Sequence, residues 1–200
     1  MKDNATEKKI LRAAEEEFMR EGYAGARTTS IARNAGVTHA MLHYYFQSKD
    51  LLYNRIMDEK IELFEDAIMF KLSDEKLPIK DRIILGAINH FDFLCENPDL
   101  PRFFMNEFTL HPELIDRVRD AFVKYLPVTF NMQQELDLAA ARGEICPANA
   151  GTLMADIILL NIITFFITPI MVSAGLGNTE DLQNARKAEN IEIIKKRLAV

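Results

Sequence analysis

The chain has 200 residues, 48% of them hydrophobic and 27% charged, with a formal net charge of −6. That length allows one or two domains, and 8 Gly with 7 Pro are too few for a disordered or linker-rich chain. The acidity is uneven, +1 over residues 1–60 and −7 over 61–200, which excludes a protein that coats nucleic acid with its whole surface.

In chain order, Asn4 with Glu7 makes a capping-box-like start for a helix over about 5–21. Ile10, Ala14 and Phe18 give it one apolar stripe, and Gly22 ends it. A second helix spans 28–35. Gly36 stands where a helix needs a left-handed closing residue, and Thr38 stands at the N-cap of a third helix over 39–46. Ile31, Ala32, Val37 and Leu42 form the small core predicted beneath these elements. Ser48 caps a fourth helix that runs to about Lys71, with Leu52, Ile56, Leu63 and Ala67 inward. The boundary is placed so that 1–48 form one domain and 49–200 a second, with helix 49–71 connecting the two.

Helical patterns continue over about 79–96, 99–110, 113–142, 149–172 and 179–198, and Pro127 predicts a kink or break inside the third of these. No strand alternation and no repeat is visible, so the chain reads as all-α with about nine helices. Ile157–Val172 is strongly apolar over 16 residues but is interrupted by Asn161, Thr164, Thr168 and Pro169. A membrane-spanning helix needs about 20 apolar residues. The segment therefore reads as a soluble helix buried on nearly every side, partly against another subunit. A four-helix dimer interface is expected to use Ile157 and Phe165 with Leu182, Ile191, Ile194 and Leu198 of the last helix. No basic, apolar leader opens the chain, and Cys95 and Cys146 form no C-x-x-C pair. Both features point to a cytoplasmic protein with reduced thiols, a redox-sensing disulfide being the minor alternative.

The chemistry concentrates in residues 28–52. A short helix, a glycine turn and a second short helix crowded with His39, His43, Tyr44 and Tyr45 have the layout of a DNA-reading helix-turn-helix. The positive charge is local: Arg27, Arg33, Lys49 and Arg55 face only Asp50 between 27 and 55. Lys49 begins a helix, and a lysine beside helix-terminal N–H groups makes an anion site suited to a phosphate. Tyr45 and Phe46 read as core, whereas Met41 is divided between groove contact and packing. His39 and His43 lie four apart with no third ligand nearby, so no metal site is expected. No nucleophile–base pair or phosphate-cradling loop appears, and the chain reads as a non-enzyme without a cofactor.

These residues resemble the tetracycline-repressor (TetR) family of bacterial regulators. The match runs through Ile31-Ala32, Ala35-Gly36-Val37-Thr38, Leu42, Tyr45-Phe46, Ser48-Lys49-Asp50 and Leu52, without a gap, and covers about residues 1–60. Departures are Ala40 for the usual Gly, His43 for the usual Tyr, and Arg27 where a Thr or Ser cap is common. The resemblance implies that Thr38, His39, Ala40 and Met41 begin the groove-facing helix and that His43 and Tyr44 lie against backbone and base edges. It implies further that Thr28 and Thr29 place hydroxyls on the flanking backbone and that Lys49 holds a phosphate. It implies a homodimer on a palindromic operator in double-stranded DNA, acting as a repressor and released by a small hydrophobic effector. Residues 79–172 mix large apolar and isolated polar side chains, as pockets do. From them His90, Phe91, Phe104, Phe108, Asn131, Asn161, Thr164 and Phe166 are the candidate ligand contacts.

Overall fold

The computed structural model describes residues 3–72, 76–110, 113–124 and 126–200, without the side chains of 64–72, 104, 106, 108–110, 113, 114, 117, 118, 121 and 122. Among the described residues every regular element is helical: α1 Asn4–Gly25, α2 Thr28–Asn34, α3 His39–Tyr45, α4 Lys49–Leu72, α5 Ile79–Glu96, α6 Leu100–Leu110, α7 Glu113–Lys124, α8 Leu126–Ala141, α9 Ala150–Ser173 and α10 Thr179–Leu198. The fold is all-α. The pattern read as one helix over 113–142 is described as α7 and α8, and the kink expected at Pro127 borders Tyr125, which lies outside the described residues. The chain forms two compact units: residues 1–63 with 103–115, and residues 64–102 with 116–200.

In the first unit, α1 begins one residue earlier than expected because Asp3, not Asn4, supplies the cap. Its carboxylate accepts the Ala5 N–H at 3.1 Å and the Thr6 hydroxyl at 2.9 Å. Ile10, Ala14 and Phe18 point inward as the four-residue spacing predicts, and they meet Ile31, Leu42, Leu52 and Met57. Tyr53 closes this core with its ring edge-on to Phe18 at 5.1 Å. Leu63, expected inward, is 48% exposed, because the buried face of α4 ends at Lys60, whose ammonium pairs with Glu15. The side chain of Ala67 lies outside the described residues.

Gly22 interrupts α1 with φ 67° and ψ 175°, a region open essentially only to glycine. Gly22→Ala is expected to lower stability by about 1–3 kcal/mol. Urea unfolding of the two proteins checks this, and an unchanged midpoint would remove the requirement for glycine there.

In the second unit, α5, α8, α9 and α10 pack around Ile83, Leu136, Leu153, Ile194 and Leu198. α9 is long and apolar enough to cross a membrane by length and composition, yet only 22% of its most apolar stretch is buried within the chain. The single chain thus leaves one face of α9 open, the part of the expected burial that was assigned to another subunit. Leu159, Ile163, Ile167 and Ile170, three or four residues apart, carry that face.

Candidate DNA-binding site

The exposed end of the first unit is built from α2, α3 and the start of α4. Gly36, at φ 67°, lets the chain reverse after α2, and the Val37 N–H donates back to the Ala32 carbonyl at 3.0 Å. Thr38 then starts α3, its hydroxyl accepting the Met41 N–H at 3.1 Å. Arg27 makes no side-chain cap for α2. The carboxylate of Glu17, buried in α1, instead accepts the Arg27 N–H at 3.3 Å and binds the Arg20 guanidinium at 2.5 Å. A buried acid therefore anchors α2 where the sequence lacks a hydroxyl.

α3 has two faces. Leu42 and the capping Phe46 are buried, and half-buried Tyr45 accepts the Asp3 N–H on its hydroxyl at 3.0 Å, so these residues are packing residues as expected. His39, Ala40, Met41, His43 and Tyr44 are exposed, Tyr44 most among the large apolar groups at 62%. Thr28 Oγ and His39 Nε2 lie 3.0 Å apart, tying α2 to α3 across the turn. The two imidazoles meet edge-on at 4.4 Å, and His43 Nδ1 donates to the Gln47 carbonyl at 3.3 Å. Thr29 is also exposed.

Ser48 caps α4, its hydroxyl accepting the Leu51 N–H at 3.1 Å. The Lys49 ammonium lies 4.6 Å from the centre of the Tyr23 ring, a cation–π distance. The Tyr23 hydroxyl donates to Asp50, which holds its phenol above the ordinary range, at about 12. Sequence reasoning missed Glu17 and Tyr23. Both read as ordinary residues of an amphipathic helix, and their roles appear only when α1 meets α2 and α4.

The candidate ligand residues fare differently. His90, Asn161 and Thr164 are buried, and His90 Nδ1, the Asn161 amide and the Thr164 hydroxyl are engaged inside the second unit. Asn161 Nδ2 donates to the Ala87 carbonyl at 2.9 Å and lies 3.2 Å from His90 Nδ1. Asn190 Nδ2 donates to Asn161 Oδ1 at 3.1 Å and to the Leu160 carbonyl at 3.0 Å, and the Thr164 hydroxyl donates to Leu160 as well. These groups join α5, α9 and α10; they do not line an opening. Phe91 is buried with its ring 5.6 Å from that of Phe165, Phe166 is half-buried and Asn131 is exposed. The side chains of Phe104 and Phe108 lie outside the described residues. A narrow slot in this unit is lined instead by Ile83, Gly86, Met132, Leu153, Met154, Ile157 and Ile158, all without polar side-chain atoms other than sulfur. Three of the expected interface residues, Ile157, Ile194 and Leu198, are buried in the chain's own core, while Phe165, Leu182 and Ile191 are half-buried. The fully apolar sequence of α9 gave no sign of which stripe the core would take.

Burial lowers the His90 pKa to about 4. Folding thus expels a proton that the unfolded imidazole, near 6.5, would hold. Stability is fully present above about pH 6.5 and falls as the pH drops from there toward 4. Between pH 7 and pH 5 the loss from this one group is about 2 kcal/mol. Denaturant titrations at both pH values check this, and His90→Gln should remove that part of the difference; an unchanged difference would refute the assignment.

This arrangement, a capped, outward-facing helix after a glycine turn, is a helix-turn-helix. Residues 10–56 match the model of the family described as bacterial regulatory proteins, tetR family. The match covers the helix-turn-helix and the helices that flank it, and the rest of the chain lies outside it. The uncharacterized HTH-type transcriptional regulator YdgC of Bacillus subtilis (strain 168) is 27% identical over 104 residues, 50% of this chain and 53% of YdgC, so the chain spans about half the length of that relative. The fold is similar to SCO4942 of Streptomyces coelicolor, assigned as a transcriptional regulator, with a TM-score of 0.73 at 22% identity over 96% of this chain and 98% of that one. It is also similar to the transcriptional regulator FadR of Bacillus subtilis in complex with stearoyl-CoA, with a TM-score of 0.61 at 19% identity over 94% and 96% of the two chains.

Proposed function

We propose that the chain is a ligand-responsive transcriptional repressor that binds a palindromic operator as a homodimer in the cytoplasm. The observation that carries this reading is the division of α3, which buries Leu42 and caps itself with Thr38 while exposing His39, Ala40, Met41, His43 and Tyr44. A helix that holds its aromatic and polar groups outward on a rigid mount is suited to the major groove. Thr28, Thr29 and Lys49 flank it and fit the phosphate backbone, which sets register and not sequence. The dimer is formed by the open apolar face of α9 with α10, which supports one reading helix in each of two successive major grooves. Selection of bound sequences from a random duplex pool tests this. The expected product is a symmetric motif whose half-sites lie one helical turn apart, and a pool without enrichment would overturn the reading.

The effector in this proposal is hydrophobic. The slot between α5, α8 and α9 is lined by aliphatic and methionine side chains but encloses only about 10 Å³, so an effector enters only by re-packing it, which methionine allows. The similarity to a regulator solved with stearoyl-CoA supports a long-chain acyl compound as the first to try. Binding must favour one arrangement of the paired reading helices, since a ligand with equal affinity for both arrangements shifts nothing. Titration of acyl compounds into the protein–operator complex checks this, with release of DNA expected.

A further inference from the structure

Glu107 of α6 is fully buried in the first unit, in direct contact with the DNA-binding module. One carboxylate oxygen, Oε1, accepts the backbone N–H of Tyr23 at 3.2 Å, and the other, Oε2, accepts the hydroxyl of Tyr53 at 2.5 Å. A buried carboxylate needs partners of this kind, because an unpaired charge in an apolar interior is strongly unfavourable. The fit is close: a Cβ on Gly22 would come within 3.2 Å of Oε1. The glycine, in its φ 67° conformation, is what lets the acid reach the end of α1.

Glu107 therefore holds two tyrosines of one cluster. The Tyr23 and Tyr53 rings meet edge-on at 4.8 Å, and Tyr53 meets Phe18 at 5.1 Å. The far side of the Tyr23 cluster is occupied by Lys49 and Asp50 of α4. A continuous set of contacts thus runs from α6 through the backbone and ring of Tyr23 to the ammonium that begins α4.

We propose that Glu107 is a positioning residue for DNA binding: it seats Tyr23 beneath Lys49 and so fixes how the Lys49 ammonium meets a DNA phosphate. This rests on the DNA-binding reading above. Loss of the Glu107 carboxylate removes the acceptor from Tyr23 and Tyr53 together. The expected result is weaker backbone attachment with unchanged base preference, since phosphate contacts carry affinity and base contacts carry sequence.

The test is a double-mutant cycle on the full-length protein with a duplex taken from the selection above. Lys49→Ala is measured in the native protein, in Glu107→Met and in Tyr53→Phe, each across a range of salt concentrations. In the native background, loss of one phosphate contact per subunit should weaken binding about tenfold at low salt and flatten the salt dependence. In the Glu107→Met and Tyr53→Phe backgrounds the same substitution should weaken binding by about threefold or less, because the lysine is already misplaced. A purely structural Glu107 would lower the melting temperature and leave the effect of Lys49→Ala the same in every background, which would overturn the proposal. Tyr53→Phe keeps the ring and its packing, so it carries the cycle if Glu107→Met does not fold. Lys49→Ala without effect in the native protein would overturn both this inference and the assignment of the DNA face; a normal effect that is equal in all backgrounds would overturn this inference alone.

Discussion

Ile163→Glu is expected to turn the proposed dimer into folded monomers and to reduce operator binding by at least a hundredfold. Ile163 is 53% exposed at the centre of the α9 face that also carries Leu159, Ile167 and Ile170. A carboxylate placed there is harmless in a solvated chain but becomes an unpaired buried charge when two such faces meet, with a penalty of several kcal/mol. One reading helix alone loses the contacts of the second half-site, and with them most of the affinity. Ile194→Glu makes the contrast. Ile194 is 1% exposed in the core of the second unit, so a charge there should unfold the chain and not dissociate it. Sedimentation together with circular dichroism separates the two outcomes. A stable dimer of Ile163→Glu would place the interface elsewhere.

Tyr44→Ala and Lys49→Ala should both weaken DNA binding, in different ways. Tyr44, 62% exposed, offers its ring and hydroxyl to base edges or backbone next to the groove. Its loss is expected to cost about 1–3 kcal/mol on the selected site and little on unrelated DNA, which narrows the ratio between them. Lys49 should weaken both DNAs alike, and its removal should reduce the salt slope by about one for each lost phosphate contact. Affinity measured against salt on the two DNAs checks this. Variants that behave alike would show that Tyr44 reads no sequence.

The helix-turn-helix was legible because its signals are local. A capping hydroxyl at Thr38, a left-handed residue at Gly36 and a cap at Ser48 act within a few residues of themselves, so their spacing in the chain is their spacing in space. Leu42 could be assigned to the core because its neighbours on α3 are too polar to compete. The cap at Asp3 was missed because Asn4 is an equally good capping residue one position on. In α9 nearly every side is apolar, so the sequence had no polar face from which to locate the buried one, and Ile157 was not separable from Ile163. His90, Asn161 and Asn190 lie far apart in the chain, and only their packing shows that Asn161 joins the other two. The same holds for Glu107, which reads as a solvent-facing acid on an amphipathic helix until Tyr23 and Tyr53 are brought to it.

The polar seam between α5, α9 and α10 has a consequence for how the second unit can move. Apolar helices can creep along one another in small increments, since one methyl contact replaces another at little difference in energy. Asn161 and Asn190 remove that freedom: a shift of α9 by a fraction of a turn breaks four hydrogen bonds at once and restores none. The seam acts as a detent, so that α9 and α10 either keep their register or leave it entirely. Rearrangement of the second unit therefore proceeds by jumps between a few defined packings. A detent of this kind would give the proposed effector stepwise control over the second unit, in place of a graded one.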